Sequence, residues 1–122
     1  MENKFKIHSF TDLIAWQKAH QFVLIIYKIA YSFPKEETFG LSSQLKRAAI
    51  SISSNIAEGF SRKTNKDKVH FFYIALSSLT EVQNQILLAR DLKFIINDKF
   101  QDLASRSIEI SKLINSLIKK LK

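Results

Sequence analysis

No cysteine occurs in the 122 residues, which rules out a disulfide framework and any thiolate metal site and fits a reducing compartment. Glycine appears twice and proline once, too rarely for a turn-rich β fold. Every apolar run is soon interrupted by Lys, Asp or Gln, so none reaches the roughly 20 residues of a membrane span. The opening MENKFKIHSF carries no apolar segment of secretory-signal length. Acidic side chains are scarce too: eleven Asp and Glu stand against nineteen Lys and Arg, a net charge of +8. A field of that sign attracts polyanions, although basicity alone is an unspecific footprint. The apolar fraction of 46% suffices for one core in a chain too short for two. A single cytoplasmic domain over residues 1–122, with no membrane partner, is expected.

Apolar residues recur at helical spacing nearly throughout, and no strand pattern competes. After a short basic lead over residues 1–10, helix 1 is predicted over about 12–33, with Thr11 or Asp12 placed to cap it. It carries two apolar stripes. Trp16, His20, Val23, Tyr27 and Ala30 form one; Ala15, Ala19, Phe22, Ile26, Ile29 and Phe33 form the other. A helix apolar nearly all round is either central or shared between subunits, and in a four-helix bundle none is central. Helix 1 is therefore expected to self-associate, with Phe22, Ile26 and Ile29 at the oligomer interface, so that Phe22→Glu or Ile26→Glu releases a smaller, still helical species.

Pro34 ends helix 1, because the residue before a proline is pushed out of helical geometry. Helix 2 is predicted over 41–58 with Leu41, Leu45, Ala49, Ile52 and Ile56 facing the core. Helix 3, over 65–93, starts at a Thr64 cap with Asp67 three residues on. Helix 4, over 98–120, has Asn97 or Asp98 as its cap, and Lys119, Lys120 and Lys122 at the negative end of its dipole. Long helices on short links make an all-α, antiparallel up-and-down four-helix bundle.

The stretch SISSNIAEGFSR, Ser51 to Arg62, departs from plain amphipathic helix. Its serines and asparagine compete for backbone hydrogen bonds and are tolerated in a helix only where packing compensates. Small side chains at Ala48, Ala49, Ser53 and Ser54 would let another helix come close. Gly59 is predicted as the left-handed residue closing helix 2, with Phe60 packing back in a Schellman closure. Asn55 and Glu58 share one face and are expected to form a polar clamp between helices that fixes register.

Candidate chemistry is sparse. A di-metal bundle needs Glu-x-x-His pairs on two helices, and the nearest imitation here is Asp67 with His70, while His8 and His20 lie far off; no metal and no cofactor are expected. The serines have no histidine or lysine partner in a recognisable motif and there is no glycine-rich phosphate loop, so the chain is read as a non-enzyme. Trp16, Tyr27, Phe71, Phe72 and Tyr73 could stack on bases, but at helical spacing they read as core. Lys46, Arg47, Arg62, Lys63, Lys66 and Lys68 form the densest run of positive charge. These six are the candidate nucleic-acid-binding residues, expected to meet RNA or DNA phosphates with little sequence preference. The alternative is an oligomeric protein-interaction scaffold with no nucleic-acid binding.

The segments DLIAWQKAHQ, FPKEETFGLSSQLKRAAISISSNIAEGFSR and FYIALSSLTEVQNQILLARDL together resemble the four helix bundle proteins encoded in intervening sequences of bacterial 23S ribosomal RNA genes. The likeness spans nearly the whole chain and is sharpest at SNIAEG, Ser54 to Gly59, preceded by QLKRAA. It departs at Ser53, where the family commonly has proline, an exchange expected to straighten helix 2. The resemblance implies a homo-oligomeric ring, a homopentamer. A related bundle, the accessory variability protein of diversity-generating retroelements, associates with nucleic acid and a reverse transcriptase, which implies that RNA, DNA or a protein partner is open to this chain.

Overall fold

The apolar periodicity resolves into four helices in a computed structural model that describes residues 6–122. They are α1 (Ile14–Tyr31), α2 (Leu41–Ser61), α3 (Asn65–Asp91) and α4 (Asn97–Leu121), with short 3-10 turns at Phe10–Asp12 and Lys35–Glu37. There is no strand among the described residues. Each helix packs against its neighbour in sequence, α2 on α3 most extensively, and α1 closes on α4 along the thinnest seam. The order is antiparallel throughout, so the starts of α1 and α3 and the ends of α2 and α4 share one end of the bundle.

Of the basic lead expected over residues 1–10, residues 1–5 lie outside the described residues. Ser9, rather than Thr11 or Asp12, is the first cap: its hydroxyl accepts from the Thr11 N–H at 3.2 Å. Asp12 completes a capping box by accepting the backbone N–H groups of His8 and Ser9 at 2.9 and 3.1 Å, and those two bonds hold its carboxyl below the usual carboxylate value. Leu13, which precedes α1, makes no side-chain cap. The first turn of α2 is capped from the linker, where the Glu37 carboxylate accepts the Leu41 N–H at 3.0 Å. Thr64 caps α3 through the Asp67 N–H at 3.1 Å, as its spacing predicts. Neither Asn97 nor Asp98 caps α4; Ile96 precedes it and both polar residues lie in its first turn.

The core is one apolar cluster drawn from all four helices, with Leu45, Ile52, Ile56, Leu79, Val82, Leu103 and Ile114 among its fully enclosed members. Phe22 and Ile26 are 1% and 0% exposed and Ile29 is buried beside them. These three face the interior of their own bundle, which corrects their placement at an oligomer interface. The first stripe is split: Val23 and Ala30 are buried too, whereas His20 and Tyr27, with Leu24 and Tyr31 beside them on the helix, are exposed, Tyr31 being 90% exposed. A charge at Phe22 or Ile26 would break the core rather than separate subunits.

Left-handed closure is also displaced. Gly59 has no positive φ and lies inside α2, which continues to Ser61. It is glycine because α3 passes too close for a side chain. A Cβ there would fall 2.6 Å from Phe72 Cε1 and 3.1 Å from the Lys68 carbonyl oxygen. The Schellman closure ends α3 instead: Lys93 adopts φ 65°, the Phe94 N–H reaches the Ala89 carbonyl at 2.8 Å and the Lys93 N–H reaches that of Arg90 at 3.0 Å. Phe94 then packs on Phe33 with ring centroids 5.5 Å apart.

Hydroxyls mark each consecutive helix pair. Ser42 Oγ donates to the Ala30 carbonyl at 3.4 Å, Ser51 Oγ meets Ser78 Oγ at 2.7 Å, and Gln83 Nε2 donates to Ser107 Oγ at 3.1 Å. Ala48, Ala49 and Ser53 are buried as the close approach requires, whereas Ser54 is exposed and takes no part. With Ser53 in place of proline, α2 runs unbroken.

Two glycine exchanges test these backbone assignments. Gly59→Ala gains helix propensity but overpacks against Phe72, for a net loss of about 1–2 kcal/mol, whereas Lys93→Gly relieves the left-handed strain and gains about 0.5–1 kcal/mol. Thermal unfolding should move in opposite directions for the pair, by about 4 °C per kcal/mol. A stabilised Gly59→Ala protein would show that α2 and α3 are not held this close.

Candidate nucleic-acid interface

α2 leaves the core at Gly59 and ends in a tight turn, Arg62–Thr64, before α3 begins at the Thr64 cap. The turn is basic, and its cations have different duties. Lys68 Nζ donates to the Phe60 carbonyl at 2.6 Å, satisfying one of the orphan acceptors at the end of α2, and lies over the Phe60 ring at 5.4 Å. It is a structural cap. Arg62 Nη2 pairs with Glu58 Oε2 at 3.1 Å while its guanidinium lies 4.4 Å from the centre of the Phe71 ring. Lys63 and Lys66 are exposed on the turn and the first turn of α3.

α4 delivers its own cations to the same end. Asn65 Nδ2 reaches the Leu121 carbonyl at 3.5 Å, and Lys122 Nζ donates to the Tyr73 hydroxyl at 3.2 Å, so the last turn of α4 lies beside the first turns of α3. Lys119 and Lys120 are exposed there. Lys6 and Lys120 line one cleft of about 690 Å³ between α4 and the start of α1. The opposite end interleaves Lys28, Lys35, Arg90, Lys93 and Lys99 with Glu36, Glu37, Asp91, Asp98 and Asp102, so the excess of positive charge is polar along the bundle.

The six expected contact residues therefore do not form one patch. Arg62, Lys63, Lys66 and Lys68 are together, but Lys46 lies 15 residues before Ser61, about 22 Å along α2, with its ammonium 5.0 Å from the Tyr27 ring centre. Arg47 is exposed on the same distant turn. Lys119, Lys120 and Lys122 take their place. Sequence spacing assigns those three to the helix dipole, yet the antiparallel order alone returns the end of α4 to the α2–α3 turn.

The expected polar clamp is also rebuilt. Asn55 Nδ2 donates to the Ser51 carbonyl at 2.8 Å and to Ser51 Oγ at 3.0 Å, within its own helix, and the crossing to α3 is made by Ser51 with Ser78. Glu58 is exposed and, among the described residues, pairs only with Arg62. The Ser51–Ser78 hydroxyl pair thus has an amide, not a base, as its third partner. Among the described residues no three His, Asp or Glu side chains gather as metal ligands, Asp67 and His70 included. A second cleft, about 670 Å³, opens on the α1–α4 seam near Phe94, its floor formed by Ile25, Ile29 and Ile95. No helix among the described residues is long and apolar enough to cross a membrane.

Four long antiparallel helices whose positive charge is gathered at one end define a helical bundle, as a class, and set no reaction. The chain belongs to the 23S rRNA-intervening sequence protein family, whose pattern residues 11–116 match. It is also similar to a crystal structure of a protein of unknown function from the S23 ribosomal protein family of Bacteroides thetaiotaomicron. The two share 27% identity and a TM-score of 0.78, over 87% of this chain and 99% of that one. No functionally curated protein matches it.

The rebuilt clamp is tested by comparing Ser51→Ala with Glu58→Ala. The first orphans part of a half-buried network and should lower stability by about 1–2 kcal/mol in urea unfolding; the second removes an exposed i,i+4 pair worth about 0.3–0.5 kcal/mol. Equal losses would restore Glu58 to the clamp.

Proposed function

We propose that the protein is a non-enzymatic, self-associating bundle that binds RNA or DNA through backbone phosphates with little sequence preference. The observation that carries this is the cationic end, where Lys63, Lys66, Lys119 and Lys120 are exposed beside Arg62 and Lys122. Converging lysines on a blunt end neutralise phosphates additively and read no base edge, since no helix projects as a groove-entering element with its turn. Self-association is supported by the exposed α1 stripe at Leu24, Tyr27 and Tyr31. A ring, five-membered in the implied form, would repeat the basic end once per subunit and raise effective affinity.

Binding of a single-stranded RNA should fall with a log–log salt slope near about −4 if six phosphates are met per site. Replacing Lys119 and Lys120 by Ala should flatten that slope by about 1.4, whereas Arg47→Ala should leave it in place. A flat slope, or no gel shift, removes the phosphate reading and leaves a protein-interaction scaffold. Self-association is checked by light scattering of a Leu24→Glu, Tyr31→Glu double variant, expected to lose mass while keeping its helical circular dichroism; an unchanged mass would take the interface off α1.

A further inference from the structure

We infer that the basic end selects single-stranded polynucleotide over duplex, by stacking unpaired bases on two cation-backed aromatic platforms that flank the start of α3. The inference rests on the phosphate reading above and adds to it the class of strand. The platforms are Arg62 on Phe71 and Tyr73 beside Lys122.

Residues 71–73 read as core from their spacing, but only Phe72 is. Successive residues on a helix are turned by about 100°, so with Phe72 pointing inward its two neighbours emerge on opposite flanks of α3. Phe71 is half-buried, with the Arg62 guanidinium 4.4 Å from its ring centre and the His70 ring edge-on at 5.4 Å. The Glu58 carboxylate, 3.1 Å from Nη2, holds the same group at its edge. A guanidinium held between a ring and a carboxylate still has surface to offer, and the Arg62 side chain is 43% exposed. That flat cation is a stacking surface for a nucleobase more than a ligand for a phosphate.

On the other flank Tyr73 is 46% exposed. Its hydroxyl accepts from Lys122 Nζ at 3.2 Å, which orients the ring, and the ammonium lies 5.5 Å from the ring centre. Lys63, in the turn, and Lys66, seven residues before Tyr73 on the same face of α3, are exposed and free to meet phosphates. Flat surfaces beside lysines match a chain of alternating phosphates and unpaired bases, because every base has a face to stack whatever its identity. A duplex keeps its bases paired inward and could use the lysines alone.

The test uses the full chain with three probes at one salt concentration: an oligouridylate, an abasic phosphodiester of the same length, and a blunt RNA duplex. The oligouridylate is expected to bind about tenfold more tightly than the abasic strand. Arg62→Lys and Tyr73→Leu, which conserve charge, should each cut that ratio to about threefold and together erase it, with unchanged circular dichroism confirming the fold. A deoxyuridylate probe, expected to behave as the RNA does, separates base stacking from sugar recognition. Equal binding of base-bearing and abasic strands by the unaltered protein, or preference for duplex, overturns the inference while the phosphate reading stands. Failure of all probes to bind overturns both.

Discussion

The rest of the bundle depends on the contact between the Gly59 backbone and the Phe72 ring. With no side chain at 59, α3 can run directly alongside the end of α2, and the pair is then locked farther along by the 2.7 Å bond between Ser51 and Ser78. Buried Ser53 lies between these points, and buried Ala48 and Ala49 carry the run of small side chains on past Ser51. A hairpin closed this tightly leaves only Arg62–Thr64 to turn the chain, so whatever charge those residues carry is fixed at the bundle's end. Its carbonyl termini are satisfied locally, one by Lys68, which explains why a lysine there is half-buried rather than extended into water.

The same economy of small groups appears in every consecutive pair. A serine or its partner sits at each crossing and bonds across it, whereas the α1–α4 closure has an exposed Lys18–Glu109 ion pair at 3.8 Å and two clefts. Neutral hydroxyls at the crossings fix register without introducing buried charge, whose desolvation would offset much of any gain.

Helix number, order and most boundaries were legible in the sequence because apolar spacing and the Thr64 cap are local signals. What was not legible depended on neighbours in space. A glycine near the end of an apolar stripe looks like a left-handed terminator, and only the position of Phe72 shows that Gly59 makes room instead; the left-handed residue is Lys93, which no propensity marks. Two apolar stripes on α1 were visible, but that Phe22, Ile26 and Ile29 go to the core along with Val23 and Ala30, while Tyr27 stays open, depended on how α2 and α4 flank the helix. The charged end was half legible. Arg62, Lys63, Lys66 and Lys68 are adjacent in sequence, whereas Lys119, Lys120 and Lys122 join them only through the antiparallel return of α4.

Gathering one sign of charge at a single tip gives the molecule a lengthwise electric moment. In the field of a linear polyanion such a rod experiences a torque as well as an attraction, so it arrives tip first and broadside collisions are converted before contact. The Debye length of about 10 Å at 0.1 M salt limits that rotation to the last layers of solvent, where the tip, but not the far end, lies within reach of such a field.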